Sequence, residues 1–255
     1  MATSSLLQCS MCNRDGTKVC SGCQSSRYCS TECREADWSN HKLLCGSFKD
    51  FATPPEKDMK RAILFPAELQ TPKFIWVHCN RVVDGFEKVD LQALLGEEDT
   101  DFSRQLVQTN VVRTRDLKHS IEVVARDEFL KDGSTVNKSI MEATKGLMAY
   151  DWRGPVLAFG KKGFGPDPPY YDNLDMTDFR DVADYFSSYG DETVLEKARQ
   201  RSGKVKGVRI ACEGDRMFFG AEKFQSVEVP RQHPVFNMRP SCDIPKLVGL
   251  PILVR

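Results

Sequence analysis

Eight side chains near the start of the chain can bind a metal ion: Cys9, Cys12, Cys20, Cys23, Cys29, Cys33, His41 and Cys45. Their spacing is C-x2-C-x7-C-x2-C-x5-C-x3-C-x7-H-x3-C. Structural zinc takes four thiolate or imidazole ligands in a tetrahedron, so eight ligands make two sites. A C-x2-C knuckle turns two sulfurs toward one ion. On a helix, His41 and Cys45 are one turn apart and share a face, and so are Cys29 and Cys33. Spacing alone leaves the pairing open, because sequential and interleaved sets both fit.

A disulfide framework is the competing chemistry. Seven cysteines lie in residues 1–45, and an odd number cannot all pair. The opening MATSSLLQ has neither a basic start nor an apolar run, so no secretory signal is expected. No apolar run reaches the roughly 18 residues of a membrane span. These features favour a reducing compartment, nucleus or cytoplasm, where metal is the better reading of clustered thiols. Metal also supplies what so short a segment lacks. Below about 40 residues a core alone seldom suffices. A structural zinc contributes roughly 10–16 kcal/mol in finger peptides.

These eight residues, with Ser21, Gly22, Arg27, Tyr28, Asp37 and Trp38 among them, resemble the MYND-type zinc finger over residues 9–45. The resemblance implies an interleaved cross-brace holding two Zn2+ per chain. Cys9, Cys12, Cys29 and Cys33 would hold one ion, and Cys20, Cys23, His41 and Cys45 the other. It also implies a mode of recognition. Such fingers in transcriptional co-repressors capture a proline-containing PxLxP peptide as an added strand. The matching peptide-binding positions are Ser21, Arg34 and Trp38. Arg34 stands where the family has glutamine, which alters the expected peptide preference. An indole offers a proline ring a flat apolar surface, and the alternative for Trp38 is a small core between the zinc sites.

Charge argues against nucleic acid as a partner. Residues 1–45 carry five basic and four acidic side chains, and seven thiolates with two dications subtract three further charges. The folded finger is then mildly acidic. The whole chain is balanced, with 36 basic and 36 acidic residues, whereas a DNA reader needs a basic face.

The elements beyond the finger are of mixed type. Residues 46–72 contain Pro54, Pro55 and Pro66 and read as a connector whose AILF run docks on the next domain. Residues 73–255 read as one globular α/β or α+β domain. FIWVHC, LVQTNVV, IEVVA, GPVLAFG, VKGVRIAC, FQSVEV and PILVR suggest strands. DLQALLG, the first part of NKSIMEATKGLMAY and TDFRDVADYFSSYG suggest helices, with ETVLEKARQR as a candidate for a further one. This body is similar to that of uncharacterised fungal proteins with an N-terminal finger of the same type, through KFIWVHC, WRGPVLAF and DYFSSYG. That similarity implies a shared fold and no particular activity.

The body offers little recognisable chemistry. Beyond the finger stand His78, His119 and His233 with Cys79, Cys212 and Cys242, none at chelating spacing. Buried inert cysteine is the commoner outcome for such residues. GKKGFG at 160–165 lacks the Lys-Ser/Thr of a phosphate loop. Asp172, Asp175, Asp178, Asp181 and Asp184 recur every third residue, with the first expected to favour a helix dipole and the later ones to face solvent. A lysine methyltransferase of the SET type is not expected, since its finger interrupts SET sequence and no N-H-S-C-type motif is present after this one. The sequence therefore points to a zinc-binding interaction adaptor, in a regulatory or transcription-linked complex. An enzyme of unknown chemistry in residues 73–255, tethered by the finger, is the alternative.

Overall fold

The computed structural model describes residues 8–81, 87–96, 101–162, 171–194, 196–197, 204–210, 217, 223–230 and 252–254. Among the sequence candidates, His233, Cys212, Cys242 and the glycine-rich stretch 163–165 lie outside the described residues. Two compact units divide the chain after Asp191.

In the first unit, the finger contributes strands β1 (Lys18–Val19) and β2 (Arg27–Tyr28) and helix α1 (Thr31–Cys45). The Ser30 side chain caps α1 by accepting the Cys33 N–H at 3.3 Å. The sheet beyond the finger comprises β3 (Met59–Phe65), β4 (Lys73–Arg81), β5 (Glu87–Val89), β6 (Phe102–Asn110), β7 (Arg115–Arg126), β8 (Val156–Lys161) and β9 (Tyr171–Asp172). Its order is β5-β4-β3-β8-β7-β6, with β9 also paired to β8, and every pairing is antiparallel. The arrangement is therefore α+β.

Helices α2 (Gln92–Leu95), α3 (Lys138–Thr144) and α4 (Met176–Ser188) complete this unit. Alternation along the strands gives two apolar faces. One carries Ile63, Phe65, Val123, Ala125, Val156 and Ala158 and packs on α3 and α4 through Ile140, Phe179, Val182 and Phe186. The other carries Ala62, Val77, Val124, Leu157 and Phe159 and packs on α2 through Leu95. Asp175 starts α4 with a capping box, accepting from the Asp178 N–H while the Asp178 carboxylate accepts from the Asp175 N–H.

Three sequence expectations need correction. Residues 46–72 are not merely a connector, because β3 sits inside the sheet between β4 and β8. Lys60 and Arg61 hid this strand. Arg61 is nonetheless buried, donating to the Leu174 and Phe51 carbonyls with its guanidinium 4.4 Å from the Phe48 ring centre. The body also does not stand apart from the finger. Leu44, Cys45 and Cys23 belong to the same buried cluster as α3 and α4, with Leu43, Phe48 and Phe51 packed against it. Nor do residues 73–255 form one body, since the division falls after Asp191.

The second unit contains β10 (Lys204–Ile210), β11 (Phe224–Pro230) and β12 (Ile252–Val254). Strand β10 lies in the middle, antiparallel to β11 and parallel to β12.

Candidate functional site

The eight predicted ligands gather into two clusters: Cys9, Cys12, Cys29 and Cys33, and Cys20, Cys23, His41 and Cys45. The chain interleaves, so each site takes one pair from the loops and one from further along. All eight ligands come together as expected.

The fit to zinc rests on distance. Within each cluster the ligand atoms lie within 4.8 Å of one another. Sulfur contacts are 3.5 Å for Cys12–Cys29, 3.6 Å for Cys29–Cys33 and 3.7 Å for Cys20–Cys45. The edge of a tetrahedron with Zn–S bonds of 2.3 Å is about 3.8 Å. A disulfide would need about 2.05 Å. The Cys23 sulfur stands 3.7 Å from His41 Nε2. A Cβ on Gly22 would come within 2.8 Å of the Cys45 sulfur, so a side chain there would force the knuckle or the sulfur to shift. These are two zinc-binding sites.

Residues around His41 set its role. Its Nδ1 lies 3.1 Å from the Tyr28 hydroxyl and 3.2 Å from the Ser26 hydroxyl. Tyr28 in turn donates to Asp37 Oδ2 at 2.7 Å. This chain fixes the ring with Nε2 toward the sulfurs. Burial lowers the His41 pKa against the pull of Asp37, which favours the neutral ring a metal requires.

Ser21, Arg34 and Trp38 also come together. They line one groove of about 430 Å³ with Lys18, Val19, Cys20, Tyr28 and Glu35. Trp38 is 53% exposed and lies tilted beside the His41 ring at 6.1 Å, so it is not a core between the zinc sites. The edge of β1 completes the groove. Lys18 pairs with Tyr28 and Val19 with Arg27, while the Cys20 N–H donates to Ser26. Alternation in an antiparallel pair then turns the Val19 N–H and C=O away from β2, toward an edge with no other strand among the described residues.

Behind the finger lies a buried seam that the sequence did not disclose. Asp178, Asp181 and Asp184 are buried rather than solvated. Arg115 donates to Asp181 at 2.5 Å and to the Cys9 carbonyl at 3.0 Å. Arg113 donates to Asp184 at 2.7 Å and to the Met11 carbonyl at 2.8 Å. Asn110 bridges Asp181 and Asp184, and Arg180 lies between Asp184 and Asp37. Burial pushes Asp181 up to about 6, against the opposing pull of Arg115 and Asn110. The cations come from the β6–β7 hairpin, some seventy residues before α4, so no local pattern announces them.

Other candidates have structural partners. Cys79 is buried and His78 exposed on β4, on opposite sides as alternation requires. His119 is buried between carboxylates. Its Nδ1 stands 3.3 Å from Asp172 and its Nε2 faces Asp178 at 3.4 Å as a charge contact. Asp178 also receives Lys118 at 3.0 Å.

Comparison with known proteins agrees with this geometry. Residues 9–45 match the family model described as MYND finger, a protein-interaction module. Ubiquitin carboxyl-terminal hydrolase 19 of Arabidopsis thaliana is 47% identical over 49 residues, which is 19% of this chain and 7% of that protein. Protein CBFA2T2 is 45% identical in both Mus musculus and Homo sapiens over 38 residues, 15% of this chain and 6% of theirs. The similarity thus spans less than a tenth of each relative. No solved structure matches the chain. Among the described residues no helix is long and apolar enough to cross a membrane.

Proposed function

We propose that this chain is a zinc-dependent interaction adaptor whose finger takes an extended, proline-containing peptide as a third strand beside β1. One observation carries the reading: the outward-facing Val19 backbone lies beside an indole that is half exposed. An added strand needs free backbone groups, and specificity needs a pocket beside them. Proline fits this edge at alternate positions. The peptide residue opposite Val19 must carry an N–H, while its neighbours point theirs away and can be proline. In PxLxP the prolines and the leucine share one parity, so they can all take the outward-pointing set. Ser21 and Arg34 then supply polar contacts along the groove.

Arg34 and Lys18 are basic and Glu35 acidic along this lining. The extra positive charge favours peptides with an acidic residue beside the proline motif. Such a partner places the chain in a regulatory or transcription-linked assembly, in nucleus or cytoplasm. The test is titration of PxLxP peptides, with and without a flanking glutamate, against the full zinc-loaded chain and its Trp38→Ala variant. Equal affinity in the two proteins, at equal zinc content, refutes the reading.

A further inference from the structure

The two zinc sites are supported differently. At the second, the groups that surround His41, namely Ser26, Tyr28 and Asp37, all belong to the finger, and the body meets them only behind Asp37, through Arg180 at 3.5 Å. At the first, the finger supplies Arg14 beside Cys12. The carbonyls of its first knuckle, however, are held from elsewhere. Cys9 O accepts from Arg115 and Met11 O from Arg113, both at the turn end of the β6–β7 hairpin. Asn13 reaches the other way, donating to the Arg113 carbonyl at 3.0 Å and the Thr114 carbonyl at 3.3 Å. Thr114 holds a positive φ of 55° there, in the tight tip of that hairpin.

We propose that Arg115 and Arg113 are positioning residues for the first zinc site, so that the body completes a metal site whose ligands all lie in the finger. Neither arginine touches the metal. Each fixes a carbonyl next to a ligating sulfur and is itself fixed by a buried carboxylate, Asp181 or Asp184. Groups that orient ligands before the metal arrives raise affinity without contacting it. The charge has the right sign as well. Four thiolates and one dication leave the site at −2, which nearby guanidinium groups offset. This inference rests on the zinc sites and is independent of the peptide reading.

Site-resolved metal release in the full chain tests it. The first site is all sulfur and the second has one nitrogen, so cobalt-loaded protein reports each through its own d–d absorption. A chelator is added and the two bands are followed. The main variant is Arg115→Leu with Asp181→Leu, which removes both partners and leaves neither charge buried alone. Arg113→Met is the milder companion, since Asp184 keeps Arg180 and Asn110. Asn137→Ala is the control. It removes a buried side chain that donates to Phe65 and Gly154, far along the chain from any ligand, and so destabilises the unit without touching the knuckle. The expected result is release from the first site faster by roughly 10–100-fold in the hairpin variants, with the second site nearly unchanged. Equal acceleration at both sites, no acceleration, or the same first-site effect in Asn137→Ala overturns the proposal. If the double variant shows no cooperative unfolding, the same criteria apply to Arg113→Met alone.

Discussion

Asp37 of the finger helix α1 and Arg180 of α4 stand 3.5 Å apart, with the carboxylate 1% and the guanidinium side chain 12% exposed. The same Asp37 receives the Tyr28 hydroxyl that orients His41. One carboxylate therefore serves both a zinc ligand and the packing of α1 on the body. The Ser25 hydroxyl accepts the Met176 N–H at the start of α4, and Asn40 donates to the Ala143 carbonyl in α3. Sequence alone separates a finger, a connector and a globular body. The shared contacts instead join finger and body through one buried cluster.

Zinc removal should therefore unfold more than residues 9–45. Chelation is expected to lower the melting temperature of the whole first unit and to expose Leu44, Phe179 and Phe186 together. Hydrogen exchange with and without chelator checks this. Unchanged protection in α4 of the metal-free protein would show that the finger unfolds alone.

Protease should still cut the exposed stretch around Pro55–Asp58. Because β3 follows immediately and α1 precedes, the nicked halves should stay associated. Co-elution on a sizing column in native buffer, and separation in denaturant, are the expected outcomes. Dissociation in native buffer would contradict the common core.

For the groove, three variants probe three parts. Trp38→Ala should cost about 2 kcal/mol or more of peptide affinity if the indole is the anchor. Val19→Pro removes the outward N–H and should weaken binding while β1 and β2 stay paired, because that N–H does not face β2. Arg34→Gln should abolish only the preference for a flanking acid, and salt should weaken that preference in the parent. Calorimetric titration at two salt concentrations separates these effects.

Gly22→Ala should disturb the second zinc site and spare the first. The added methyl would lie 2.8 Å from the Cys45 sulfur. Metal analysis should fall from two zincs toward one. Retention of two tightly held ions would mean the knuckle can shift to make room.

The buried His119 gives the body a pH dependence. Burial and the neighbouring Lys118 charge lower its pKa, but the Asp172 hydrogen bond and the Asp178 carboxylate 3.4 Å from Nε2 outweigh them, raising it to about 9. The unfolded ring titrates near 6.5. The gain is fully present below pH 6.5 and is lost as pH rises through about 9. A shift of this size corresponds to about 3 kcal/mol. Urea unfolding of zinc-saturated protein should show stability falling across that window, and His119→Gln should flatten the slope. An identical slope in the variant would assign the pH dependence elsewhere.

The legible parts of this molecule were the local ones. Zinc ligation is written in short spacings, and His41 with Cys45 needs only one helical turn to converge. The apolar spacing of Phe179, Val182, Ala183 and Phe186 likewise gives α4 directly. What stayed hidden depends on residues far apart in the chain. The third-residue aspartates read as solvated because their cations, Arg113, Arg115 and Lys118, arrive on a distant hairpin. Strand β3 reads as linker because Lys60 and Arg61 leave only the short AILF run apolar, although Arg61 lies buried against Phe48. The Val19 edge was silent too, since only pairing with β2 decides which way its backbone points.

The seam between hairpin and finger also has a mechanical consequence. A binding module on a flexible tether samples many orientations, and its linker sets an effective concentration for a second contact. Here Arg113, Arg115 and Arg180 act as bolts. A peptide seated beside Val19 would leave the groove along one fixed vector relative to the seven-stranded sheet. Its parent protein would meet the body at a set angle, so partners could be sorted by shape beyond the motif as well as by the motif itself.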